Sequence, residues 1–178
     1  MRLLALICLT LSGAAALAGG SWSLHVGENG ASIAYRPAAS DDPGLDLEGL
    51  EKALAGRDAA IPIKHISLIG GFEAIPAIQA ELKAQFEADY PDLLAAALKS
   101  SGNMHNPKVL PLRAKFPECF LKTPSVKKIN KVLAAHGCAI TGISFEKFYI
   151  DKADPKAPAF HAFLWLKVGP PGEGKAAD

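Results

Sequence analysis

AITGISFEKFYI (139–150), DKADPKAP (151–158) and AFHAFLWLKV (159–168) read as two long strands joined by a polar connector. In the second strand Phe160, Ala162, Leu164, Leu166 and Val168 share one face by the two-residue period and must line the core. His161, Phe163, Trp165 and Lys167 share the other face. Two readings of that second face are open. Helices or a loop cover it, giving a strand buried on both sides, or it stays uncovered as an aromatic patch edged by His161 and Lys167. The latter composition is enriched at protein–protein hot spots.

The first strand changes phase along its length. Ile143 and Phe145 point one way by alternation, Phe148 and Ile150 the other. A bulge at Glu146–Lys147 reconciles the halves, and bulges often lie beside sites. Burial of each face in turn produces the same pattern.

Upstream of these strands lies the best-delimited helix of the chain. Thr123 is its N-cap, Pro124 its first residue, Gly137 its stop, and Val126, Ile129 and Leu133 its inner stripe. Cys119 and Cys138 flank it. The helix is about 20 Å long at the usual rise, whereas a disulfide needs Cα atoms about 4.4–6.8 Å apart. Closure therefore requires Phe120 to Lys122 to run extended back along the helix. On that condition a Cys119–Cys138 bond is expected, worth about 3 kcal/mol; the alternative is two buried thiols acting as small hydrophobes. A Cys119 nucleophile with a histidine partner is conceivable only without the bond.

Earlier still, prolines at 107, 111 and 117 predict an irregular loop from Ser101 to Lys122. Pro91 to Lys99 reads as a short helix. Ile75, Ile78, Leu82 and Phe86 mark another, with Pro76 confined to its first turn. Ile61 to Ile69 reads as a strand. Leu47, Leu50 and Leu54 form a helical stripe between an Asp46 cap and a Gly56 stop. Trp22, Leu24 and Val26 open a hairpin turning at Asn29–Gly30, which sets Val26 opposite Ile33 and Leu24 opposite Tyr35. His25, Arg36 and Ser23 then share the opposite face.

Strands at both ends with helices between them predict an α+β fold. The expected sheet is mostly antiparallel with about five strands, two terminal hairpins plus one central strand, and helices on one face.

The first eighteen residues read as a cleavable signal peptide. Met1–Arg2 is the basic start, Leu3 to Leu11 the apolar run and Ala16–Leu17–Ala18 the cleavage pattern. Ile7 stands where a lipoprotein signal before Cys8 needs a small residue. Residues 19–168 are then one globular domain and 169–178 a Pro/Gly-rich disordered tail. The periplasm, or the extracellular space, is the expected location, with no membrane insertion after cleavage. Of 19 basic and 18 acidic residues, loss of Arg2 leaves 18 of each. A neutral chain lacks the electrostatic footprint of a nucleic-acid or anionic-membrane binder.

Signatures of common catalytic and cofactor sites are missing: no C-x-x-C, H-E-x-x-H, G-x-S-x-G, P-loop or dinucleotide fingerprint. Gly70–Gly71 suits a tight strand-to-helix turn better than a phosphate site. No cofactor and no metal are expected. The preferred function is a non-catalytic envelope protein that binds a macromolecular partner through His161, Phe163, Trp165 and Lys167, as an inhibitor or accessory factor. One alternative is a periplasmic hydrolase using Glu146 or a histidine. Another is a metal carrier built on Met104 and His105, a soft-plus-imidazole pair suited to copper.

Overall fold

A computed structural model describes residues 20–37, 45–68, 72, 75–152 and 158–172. Strand β1 (Ser21–Gly27) and β2 (Gly30–Arg36) form a hairpin, followed by α1 (Leu47–Ala55) and β3 (Ile63–Leu68). Four helices come next: α2 (Pro76–Asp89), α3 (Pro91–Leu98), α4 (Leu110–Lys122) and α5 (Pro124–Ala135). The long hairpin of β4 (Ala139–Asp151) and β5 (Ala159–Gly169) completes the order. The fold is α+β. The signal segment, Gly70–Gly71 and residues 173–178 of the tail lie outside the described residues.

The sheet order is β1-β2-β3-β5-β4, so β3 stands between the two hairpins. The sheet is mixed, with one parallel pair among its neighbours. β2 and β3 run parallel, with α1 in the connection between them, as a crossover requires; the other neighbours are antiparallel.

The first hairpin turns one residue earlier than the sequence suggests. Gly27 pairs with Gly30 across Glu28–Asn29, which sets Val26 opposite Ala31, Leu24 opposite Ile33 and Trp22 opposite Tyr35. The shift is two residues in register, so it leaves every side chain on its expected face. Gly30 is recruited for another purpose. At φ +134° it lets the carbonyl of Pro62 approach, where a Cβ would stand 2.8 Å from that oxygen. Ala31 N–H donates to the same carbonyl at 2.8 Å.

Helix α1 follows its sequence signals. The Asp46 carboxylate accepts from Gly49 N–H at 2.8 Å, and Leu50 and Leu54 are buried. α5 departs in one respect. Thr123 is its N-cap residue, but the hydroxyl donates backward to Phe120 O. The cap comes instead from Glu81 on α2, whose carboxylate accepts from Ser125 N–H at 2.8 Å and Ser125 Oγ at 3.0 Å.

The stretch read as an irregular loop contains α4. Pro111 lies in the first turn, where no N–H is needed. Pro117 lies inside the helix and removes one N–H from the ladder. Burial of Leu112, Phe116, Cys119 and Phe120 outweighs that loss. Phe116 packs on Phe72, Phe120, Phe145 and Phe148 at 5.0–5.7 Å between ring centroids.

This helix also decides the cysteines. Cys119 and Cys138 are free, buried thiols, so the expected disulfide does not form. The segment that had to run extended is helical to Lys122. Cys119 therefore sits near the N-terminal end of α5 and Cys138 beyond its C-terminal end, across a rise of about 18 Å.

The buried stripes of all five helices join the core-facing residues of the strands in a single hydrophobic cluster. β4 enters it in two phases, as its sequence pattern demands. Pairing with β5 slips between Glu146 and Tyr149, and Lys147 takes φ +51°. The bulge puts Phe148 and Ile150 in the core while Ile143 and Phe145 pack against it from the first half.

Candidate functional site

Alternation along β5 is complete. Phe160, Ala162, Leu164, Leu166 and Val168 are buried, whereas Phe163 is 53% and Trp165 36% exposed. Lys167 is exposed and His161 half-buried. The structure thus brings these four residues onto one outer face and leaves the two aromatic rings accessible. Consecutive members stand about 6.8 Å apart along the strand.

The register extends this face across the sheet. Lys167 lies between His65 on β3 and Gly142 on β4, and Trp165 between Ser67 and Ser144. Beyond β3, His65 pairs with Ser32 and then His25; Ser67 pairs with Ala34 and then Ser23. A floor of serine, alanine and glycine therefore surrounds the indole. At the other end Phe163 faces Glu146, and Lys147 places its Nζ 5.4 Å from the centre of the Phe163 ring. The bulge is what delivers that cation to the ring.

Past Phe163, Tyr149 stacks on His161 with centroids 4.6 Å apart and ring planes 3° from parallel. Asp151 Oδ2 is 4.0 Å from His161 Nε2. Tyr149, Ile150 and Asp151 also line a cavity of about 370 Å³ with Ser101, Gly102, Asn103 and Met104. Gly102 anchors that loop. Its carbonyl accepts from Ile150 N–H at 3.0 Å, and its φ is +70°. A second cavity, about 590 Å³, opens at the first hairpin and includes His25, Ser32, Lys64 and His65.

The catalytic and metal candidates do not assemble in the same way. Glu146 is exposed on the outer face and lines neither cavity. Cys119 is a poor nucleophile: burial first, then the Asp89 and Glu118 carboxylates, push its thiol up to about 11. Met104 lines the smaller cavity, but His105 beside it is exposed and is not among the lining residues. Among the described residues no three His, Cys, Asp or Glu side chains are grouped to hold a metal ion, and no helix is long and apolar enough to cross a membrane.

The sequence reading placed His161, Phe163, Trp165 and Lys167 together and put His25, Ser23 and Arg36 on one face. It did not connect the two sets, because strand order is invisible in a periodic pattern. Tyr149, Asp151 and the serine floor go unread for the same reason, as does the place of His65 beside Lys167. No protein-family model matches the chain, and no curated protein or solved structure is significantly similar to it.

Proposed function

We propose that the protein is a small exported, non-catalytic envelope protein whose outer sheet face binds a macromolecular partner, so that it restrains or assists an envelope assembly. The reading takes residues 19–168 as one domain, with helices sharing one side of the sheet and the other side left for the partner. The observation that carries it is the exposure of Phe163 and Trp165 on a continuous five-stranded face. Exposed aromatic rings in a row lose water on docking and so supply a large share of binding energy. His161 and Lys167 flank them as polar contacts.

The test is capture from envelope extracts with the native protein and with Phe163→Ala and Trp165→Ala. A partner retained by the native protein and lost by both variants, at unchanged thermal stability, supports the reading. A partner retained equally by all three moves the interface elsewhere.

A further inference from the structure

The outer face is unlike the core of a protein–protein interface in one respect. Around Trp165 stand Ser67, Ser144, Ala34, Ser23 and Lys167, residue types depleted where proteins dock. Small hydroxyl side chains leave the floor flat and offer both donors and acceptors. Beside this floor stand ammonium and imidazole groups. Lys167 and His65 are cross-strand neighbours, Lys64 is the extra residue where the β2–β3 register shifts, and His25 lies two strands from His65 in the same row. Among the described residues Lys64, His65 and Lys167 have no carboxylate partner. The acids of the outer face, Glu146 and Asp151, are at the far end beyond the indole; Glu28 lies at the hairpin turn.

We propose that this face holds a carboxylate-bearing polysaccharide, with one sugar ring stacked on Trp165 and its carboxylate set against Lys167 and His65. This rests on the reading of the outer face as the binding surface and names the partner's chemistry. An indole face is electron-rich and attracts the C–H-lined face of a sugar. The serine hydroxyls meet the sugar hydroxyls without a side chain in the way. Lys167 offers the carboxylate a rotatable ammonium donor, and exposed Arg36, two residues from Ala34 on the same face, offers a guanidinium on the other side of the row. An extended chain crossing the strands from Trp165 toward exposed Ser23 follows the row of half-buried Ser67 and buried Ala34, one strand about every 4.8 Å.

The test is calorimetric titration with polygalacturonate, neutral dextran and polyglutamate at physiological ionic strength. Polygalacturonate is expected to bind, with dextran and polyglutamate weaker by about ten-fold or more. Trp165→Ala and the charge reversal Lys167→Glu should each weaken polygalacturonate by about ten-fold, and Trp165→Tyr should restore most of it. Lys167 is exposed, so its variant keeps the test valid if Trp165→Ala folds poorly. Equal binding of polyglutamate, binding indifferent to Trp165 and Lys167, or no binding of polygalacturonate overturns the proposal. In the last case, Trp165-dependent capture of an envelope protein leaves the binding-face reading standing without the glycan. Loss of both removes both.

Discussion

At the scale of single residues, two positions are fixed by close geometry. A Cβ on Gly102 would lie 2.3 Å from the carbonyl oxygen of Ile150, and φ at that residue is +70°. Either obstacle opposes a side chain. Gly102→Ala should therefore cost about 2 kcal/mol, read as a fall in melting temperature of about 4–8 °C. Cys119 gives the second residue-scale expectation. A thiol that loses its proton only near pH 11 stays protonated, and so unreactive, throughout the neutral range. Iodoacetamide at pH 7.5 should leave Cys119 unmodified in the folded protein. After unfolding without reductant it should label both Cys119 and Cys138; a missing label would reveal a disulfide. The sequence spacing of these cysteines permitted a bond. What forbade it was the helical state of three residues, 120–122, which no cysteine count reveals.

Elements show which sequence signals are strong. α1 follows its Asp46 cap and apolar stripe, and α2, α3 and α5 begin at Pro76, Pro91 and Pro124, where their sequences start a helix. α4 was hidden by its prolines, although Leu112, Phe116, Cys119 and Phe120 already had helical spacing. Pro117 does not break the helix, because packing of Phe116 and Phe120 in the aromatic cluster offsets one missing hydrogen bond. The cap of α5 was illegible for a different reason: Glu81 is 44 residues from Ser125 and meets it only in the fold. Replacing Glu81 by Ala should lower stability by about 1 kcal/mol, measured by urea unfolding, whereas Thr123→Ser should have a smaller effect because its hydroxyl bond is retained. The β4 bulge, by contrast, was legible from the phase change at Glu146–Lys147. Deleting Lys147 removes the extra residue, so the bulge should close into a regular ladder with Phe148 opposite Ala162 and Ile150 still opposite Phe160; native circular dichroism should be retained, and its loss would contradict this reading of the bulge.

For the whole molecule, the two hairpins and central strand were readable, but their order and the parallel β2–β3 pair were not. Order matters here, because it is the neighbourhood of β3 and β5 that joins His65 to Lys167 and surrounds Trp165 with serines. One side of the sheet supports the core; the other presents aromatic rings, imidazoles and ammonium groups to solvent. On the proposed function, a partner in the envelope covers this outer face. Hydroxyl-radical footprinting of the protein in its native envelope and after purification tests it most directly, with half-buried Trp22, packed on Tyr35 at 4.6 Å, as the internal reference. Trp165 and Phe163 should be oxidised in the purified protein and protected in the envelope, with Trp22 the same in both. Equal oxidation of Trp165 and Phe163 in the two samples would contradict it.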